Sequence, residues 1–261
     1  MTAVGLLHPG AMGAALGAEL RRAGAEVRWS SAGRSPETEE RAEAAGLQDA
    51  GTVEALVGAT DVVLSVCPPH AAEEVAKAVA ACGFTGTFVD GNAVAPATAR
   101  RIGELVAPAR FVDGGIVGPP PHRAGTTRLH LSGDGADAVA ALFAGTAVEA
   151  RVHPGGPGAA SAVKVCFAAW TKGTAALLLA IRELARAEGV EEGLLAEWAT
   201  SIPDLPARSD AAAATAAKAW RFIGEMEESA AAFAAAGLPP GFSQAAAEVY
   251  ARLAASEDGG G

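Results

Sequence analysis

Sulfur, aromatic rings and positive charge are all scarce in this chain. It has 3 cysteines in 261 residues, Cys67, Cys82 and Cys166. They are odd in number, widely spaced and lack a CxxC pair. That argues against a disulfide framework and a zinc site, and suits free thiols in a reducing compartment such as the cytoplasm. The 5 histidines, His8, His70, His122, His130 and His153, show no HExxH or similar ligand spacing, so no protein-bound metal is expected. Lys and Arg total 20 against 30 Asp and Glu, a formal net charge of −10. A nucleic-acid binder needs clustered cations to neutralise phosphates, so nucleic acid is not the expected partner. A local basic pocket for a small anion remains compatible with this balance.

Long apolar runs are also missing. The most apolar stretch, Val165 to Ile181, is interrupted by Lys172 and is short for a bilayer, so it reads as a buried helix and no membrane partner is expected. Strand-like residues begin almost at once, with no basic segment before them, so no signal peptide is expected. Aromatics make up 5% and hydrophobics 50%, so the core must be built from Ala, Val and Leu. A chain of this length buries a substantial core without staples.

What is present falls into two regimes. Up to about residue 152, short β-branched runs alternate with helical patterns. Strands are predicted at Ala3–Leu7, Ala25–Ser30, Val62–Val66, Thr87–Asp90, Arg110–Asp113 and Arg128–Ser132. Helices are predicted near Ala11–Ala23, Pro36–Ala45, Thr52–Val57, Ala71–Ala81, Pro96–Val106 and Ala136–Phe143. This alternation reads as βαβ units in an α/β fold, a doubly wound, mostly parallel Rossmann sheet. The cluster His153-Pro-Gly-Gly-Pro-Gly158 then breaks the pattern. Beyond it only helices are expected: Ser161–Glu188, Gly193–Thr200, Ala211–Ala236 and Phe242–Ala255, with a fraying tail from Ser256. The expected division is residues 1–153 for dinucleotide binding and 154–261 for an all-α domain.

The first strand runs into His8-Pro9-Gly10-Ala11-Met12-Gly13, with Gly17 on the following helix. Such glycines let the chain turn sharply, approach a pyrophosphate and pack the helix on the sheet. The helix N-terminus then offers free N–H groups to phosphate. The usual fingerprint is GxGxxG, and His8 stands where its first glycine would be. The context of strand, turn and amphipathic helix makes this a dinucleotide site rather than only a structural turn. An acid after the second strand would bind the ribose hydroxyls of NAD. None is found there: the segment reads Ser30-Ser31-Ala32-Gly33-Arg34-Ser35. Hydroxyls and an arginine suit a 2′-phosphate, so NADP(H) is expected over NAD. The plain alternative is a solvated loop arginine.

In order and spacing the chain resembles the β-hydroxyacid dehydrogenases, which include 3-hydroxyisobutyrate dehydrogenase, 6-phosphogluconate dehydrogenases and imine reductases. The resemblance covers about residues 4–190. Its markers are Gly5–Gly13, Val62-Val-Leu-Ser-Val-Cys-Pro-Pro69, Val89-Asp-Gly-Asn-Ala93, Val112-Asp-Gly-Gly-Ile-Val-Gly-Pro119 and Gly158-Ala-Ala-Ser-Ala-Val-Lys164. The segment Ala169–Gly173 adds a likeness to the branch with a distinct helical C-terminal domain. The resemblance implies that Cys67, Pro68 and Pro69 lie along the cofactor, and that Asn92 and Ala93 reach its nicotinamide side. It implies Lys164 as proton donor or acceptor, Gly114, Gly115, Ile116 and Val117 as the substrate loop, and a homodimer built through the helical domain. Two departures weaken the family's carboxylate-binding set. Val117 replaces a serine, and Ala168 replaces an asparagine one turn after the lysine.

Lys164 sits in an apolar run just past the Gly/Pro junction. Burial there disfavours its charged form, which suits general acid/base work, while a lysine snorkelling to the surface is the plain alternative. Lys172, on the same side of the helix, competes with it as a substrate contact. His122, in the proline-rich segment Pro119–Arg128, is a further substrate candidate or a solvated loop charge. These readings predict an NADP(H)-dependent oxidoreductase acting on a small hydroxy/oxo compound. An imine reductase on the same scaffold and a non-catalytic NADP(H)-binding sensor are the alternatives.

Overall fold

The computed structural model describes residues 2–214 and 219–258. The first part of the chain alternates strand and helix. Its elements are β1 (Ala3–Leu6), α1 (Ala11–Arg22), β2 (Glu26–Trp29), α2 (Pro36–Ala44), β3 (Gln48–Asp49), α3 (Val53–Gly58), β4 (Val62–Ser65), α4 (Ala72–Ala81), β5 (Thr87–Asp90) and α5 (Pro96–Leu105). Then come β6 (Arg110–Val117), β7 (Thr127–Ser132), α6 (Ala136–Leu142) and β8 (Val148–Val152). The rest is helical: α7 (Ala159–Ala187), α8 (Glu191–Ser201), α9 (Leu205–Ala214), α10 (Ala219–Ala235) and α11 (Gly241–Asp258).

The strands form one 8-stranded sheet in the order β3-β2-β1-β4-β5-β6-β7-β8. Every neighbouring pair is parallel except β6 with β7. This is the doubly wound α/β sheet expected, followed by an all-α region. Apolar side chains cover both faces. Leu16 and Leu20 of α1 pack with Leu6, Leu64, Leu129 and Leu131 on one side. Val79 of α4 and Ile102 of α5 pack with Val63 and Phe88 on the other. The order reverses between β1 and β4, which opens a crevice at their carboxyl ends, the usual place for a ligand in such a sheet.

Two strands escaped the sequence pattern. The first, β3, has only two residues, both exposed. At the sheet edge, β8 carries Glu149 and Arg151 outward, so no continuous apolar run marks it. A third difference concerns β6, which continues through Gly114 and Gly115 to Val117 and pairs with β7. The family resemblance implies a loop here. The glycines are instead sites of close approach. A Cβ on Gly114 would lie 2.8 Å from the Asp90 carbonyl oxygen, and one on Gly115 would lie 2.9 Å from the Ala160 carbonyl oxygen.

The chain divides into two compact units after Lys164, inside α7, rather than at the Gly/Pro cluster. The reason is that the first turns of α7 are bonded to the sheet. Asp113, fully buried on β6, accepts bonds from the Gly158 and Ser161 amides at 2.9 and 3.0 Å, from the Ser161 hydroxyl at 2.5 Å and from the Ser132 hydroxyl at 3.0 Å. Ser132 in turn accepts from the Ala160 amide at 3.0 Å. The helix start is thus capped by a carboxylate from a distant strand.

In the second unit, α10 and α11 pack with α7 around Ala168, Ala176, Met226, Ala246 and Tyr250. Of the helix expected over Ala211–Ala236, the parts in α9 and α10 are helical, and residues 215–218 lie outside the described residues. A helix also begins at Leu205, ahead of the expected start at Ala211; Pro206 is compatible with a first helical turn. Instead of fraying from Ser256, α11 runs on to Asp258; residues 259–261 lie outside the described residues. By length and composition α7 could cross a membrane, and only 22% of its most apolar window is buried within the chain. The burial expected for it is one-sided: Phe167, Trp170, Leu177 and Leu184 are 45%, 64%, 59% and 62% exposed.

Candidate functional site

The turn between β1 and α1 has the geometry a phosphate cradle needs. Gly10 is the N-cap of α1, with no side-chain cap and no acid in the first turn. A Cβ on Gly13 would fall 2.3 Å from the His8 carbonyl oxygen, so only glycine fits there. A Cβ on Gly10 would meet nothing within 4 Å, so the outer side of the turn is open. Gly17 lets α1 close on the sheet, where a Cβ would press within 2.9 Å of Leu47. Pro9, Ala11 and Met12 complete the turn and the first helical residues, as expected.

His8 brings a side chain to a position where the fingerprint has none. Its Nδ1 is buried and has no hydrogen-bond partner. Burial, and then the charge of Arg34, pull its pKa down to about 4. Arg34 is half-buried, its Nε is likewise without a partner, and its charge acts on both His8 and Cys67. The turn from β2 thus brings its arginine to the carboxyl ends of β1 and β4, beside the glycine turn.

The neighbouring hydroxyls divide. Ser30 is fully buried and donates to the Gly51 carbonyl at 2.9 Å, so the expectation that it faces a cofactor is corrected: it braces the turn. Ser31 closes the turn through its carbonyl, which accepts from the Arg34 amide at 3.0 Å, and also bonds the Asp49 carboxylate. Ser35 is exposed at the start of α2, 3.3 Å from the Thr38 hydroxyl. Arg41 was not foreseen. Its Nε donates to the Pro9 carbonyl at 3.3 Å and its guanidinium also bonds Thr38 at 2.9 Å. In sequence it is one charge on an acidic helix; only the packing of α2 reveals it.

At the ends of β4 and β5, Asn92 is buried and ties the loops together. Its carbonyl oxygen accepts from the Cys67 amide at 2.5 Å, and its amide group donates to Ser65 at 3.2 Å and to Asp90. These bonds tie Asn92 to the loops after β4 and β5. Burial pushes the Cys67 thiol up to about 11, so it is neutral at ordinary pH. Pro68 is exposed, Pro69 opens a short 3-10 turn, and Ala93 is half-buried.

Lys164 lies in the first unit, on the second turn of α7. Its Cβ would be 2.9 Å from a Cβ on Gly115, so the absence of a side chain on Gly115 seats it against β6. From Ser161 at the level of Asp113 to Lys164 at the level of Gly115, the helix advances toward the carboxyl end of β6. Of the expected substrate segment, Gly114 and Gly115 lie within β6, and Ile116 and Val117 are buried at its carboxyl end. His122 is exposed on the loop after β6.

Lys172 belongs to the helical unit. It pairs with Glu225, sits over the Phe222 ring at 4.7 Å, and its carbonyl accepts from the Tyr250 hydroxyl at 2.8 Å. These contacts join three helices at Lys172, the lysine expected to touch the substrate. One further pair was missed. His130 Nδ1 lies 2.7 Å from His153 Nε2, and burial followed by that neighbour pulls His130 down to about 4. Their separation along the chain matches no motif.

An open glycine turn, unpartnered buried nitrogens and converging cations fit a phosphate-bearing dinucleotide. The comparisons agree with this. The family described as the NAD binding domain of 6-phosphogluconate dehydrogenase matches residues 3–143, and a domain of unknown function, DUF1932, matches residues 185–253. An uncharacterized 28.5 kDa protein of Methanothermus fervidus is 30% identical over 170 residues, 65% of this chain and 66% of that protein. The match thus spans just under two thirds of that relative. A solved protein of unknown function, described as structurally similar to 3-hydroxyacid dehydrogenases, is 27% identical with a TM-score of 0.74 over 96% of each chain. The fold also matches Mycobacterium tuberculosis 3-hydroxyisobutyrate dehydrogenase, at 22% identity and a TM-score of 0.72 over 98% of this chain and 94% of that one. It matches a reductive aminase from Aspergillus terreus, solved with NADPH, at 20% identity and a TM-score of 0.59 over 98% and 94%. With its own turn and sheet built as that NAD binding domain requires, and the domain matched over more than half its length, the chain belongs to the 6-phosphogluconate dehydrogenase-type family and carries its dinucleotide-binding domain.

Proposed function

We propose that this protein is an oxidoreductase that uses NADP(H) and acts on a small hydroxy/oxo compound, with Lys164 moving the proton. The observation that carries the cofactor choice is the turn after β2. Arg34 and Arg41 stand beside the glycine turn, with Ser31 and Ser35 close in sequence and no acid at the end of β2. Forked guanidinium donors match a 2′-phosphate, whereas an NAD site would need a carboxylate there. Two acids lie near this turn: Asp49 is held by the Gly51 amide at 2.7 Å and by Ser31, and the exposed Glu37 is bonded to Ser35.

Bound NADPH would supply the hydride. The residues of the glycine turn, Gly10 to Gly13, would hold its pyrophosphate through backbone N–H groups, with Arg34 and Ser35 toward the 2′-phosphate and Cys67 to Pro69 along one wall. Lys164 would deliver or take the proton at the substrate oxygen through Nζ. Support for that role comes from its seat one turn beyond the Asp113 cap and against Gly115. An ammonium group can serve as a proton donor, whereas a guanidinium does not give up its proton near neutral pH.

The same scaffold suits reduction of an imine nitrogen. Val117 and Ala168 stand where the resembling dehydrogenases hold a substrate carboxylate, which favours an uncharged substrate, and the reductive aminase likeness is consistent with it. A homodimer is part of the proposal. Phe167, Trp170, Thr174, Leu177, Ile181 and Leu184 follow a three-four spacing along α7, four of them exposed by 45–64%. Such a stripe suits a second helix, and here a second copy of the chain. The free thiols suit a cytoplasmic location.

Three outcomes follow. NADPH should bind at least about tenfold tighter than NADH, a charged 2′-phosphate contact contributing about 1.5–3 kcal/mol, and Arg34→Ala should remove most of the difference. Equal affinities in the unmodified protein, measured by calorimetry, would contradict the NADP reading. With a substrate found by screening NADPH oxidation against oxo acids, aldehydes and cyclic imines, Lys164→Ala should lower turnover by about 10²–10⁴-fold while NADPH binding holds, and Lys164→Arg should not rescue it. Near-normal turnover would move the acid elsewhere, and cofactor binding with no turnover on any panel member would favour a sensor. Sedimentation at micromolar concentration should give a dimer; a monomer would remove the second copy from the account.

A further inference from the structure

His8 is the departure from the fingerprint that the cofactor reading leaves unexplained. Any side chain at this position adds bulk to a turn whose purpose is close approach to phosphate. The imidazole nitrogen Nδ1 is buried and unpartnered, and Nε of the adjacent Arg34 is in the same condition. Each buried polar atom left unpaired costs free energy, typically about 1–3 kcal/mol. Two of them converge at the carboxyl ends of β1 and β4, and a protonated imidazole and a guanidinium share one requirement: an anionic oxygen acceptor. Other charged groups here do not supply it. Arg41, from α2, donates to Pro9 and adds positive charge. Cys67, from the β4 loop, is held neutral by burial. Asp90, at the end of β5, is engaged by Asn92.

We infer that His8 is a cofactor-binding residue that takes up a proton when the dinucleotide binds, its Nδ1–H then donating to a phosphate oxygen alongside Arg34. This rests on the dinucleotide reading above and extends it. In the free protein the imidazole is neutral at pH 7, because burial and Arg34 hold its pKa near 4. A bound phosphate offsets the Arg34 charge and favours imidazolium, so the complex holds more protons than the free partners. The proton comes from solvent and ends on Nδ1. The sign follows by linkage. Affinity rises as pH falls toward the bound-state pKa, and the gain is lost as pH rises above it. The histidine thus makes cofactor retention sensitive to pH in a way a glycine at this position would not.

The test is calorimetric titration of NADPH and of NADH at pH 6 and pH 8, in two buffers of different ionisation enthalpy, for the unmodified protein and for His8→Gln and His8→Gly. Glycine is the residue the fingerprint itself carries, so that variant tolerates the turn. The 2′-phosphate of NADPH titrates in this range too, but equally in every variant, so the difference between variants isolates His8. The unmodified protein should take up a substantial fraction of one proton at pH 6, beyond that of either variant, and should bind on the order of tenfold tighter at pH 6 than at pH 8 relative to them. Uptake with both cofactors identifies the pyrophosphate as the acceptor; uptake with NADPH alone identifies the 2′-phosphate. Binding with the same proton count in all three proteins would overturn the inference and leave the cofactor reading intact. Failure of both nucleotides to bind would overturn both.

Discussion

A single buried carboxylate joins the sheet to the start of α7. Asp113 has no solvent exposure, and its oxygens accept from Ser132, from the Ser161 hydroxyl and from the Gly158 and Ser161 amides. A buried charge is tolerable only when bonded this fully, and a helix start is the favourable place for one. The arrangement converts a loop of glycines and prolines, which would otherwise be free to wander, into a fixed origin for α7. Gly115 does the complementary work by leaving room for the helix backbone and the Lys164 stem. The position of the proposed proton donor is therefore set by the sheet.

The crevice at β1 and β4 follows a different logic. The chain as a whole carries a formal charge of −10, yet its cations gather where the strand order reverses. Arg41 bonds the Pro9 carbonyl of the glycine turn, and the Arg34 charge acts on His8 in that same turn. Nearby acids are either bonded within their own turn, as Asp49 is, or tied to Asn92, as Asp90 is. An acidic protein can hold an anionic cofactor because the local field, rather than the net charge, decides.

The sequence displayed the sheet well, since continuous apolar strands between helices leave little choice of fold. It displayed the glycine turn and Lys164 through their places beside a strand end and a domain junction. What it hid depended on tertiary partners. Family resemblance assigns Gly114 and Gly115 to a loop; glycine signals both turns and close approach, and only neighbouring backbones distinguish the two. Ser30 and Asn92 have the chemistry of ligands but are consumed by Gly51, Cys67 and Asp90. Lys172 shares a helix face with Lys164, yet its partner Glu225 lies on another helix that spacing cannot register. Asp113 passed unremarked because its donors come from residues 132, 158 and 161, far along the chain.

The central claim is that the Asp113 carboxylate fixes the start of α7 and, through it, the seat of Lys164. Backbone hydrogen exchange resolved over residues 156–166, comparing the unmodified protein with Asp113→Ala, tests this most directly. The account predicts exchange faster by about 10²-fold or more at Gly158 and Ser161, the loss of roughly 2–4 kcal/mol of local protection, with the β1–β5 amides still protected. Unchanged protection at Gly158 and Ser161 in a folded Asp113→Ala protein would contradict it.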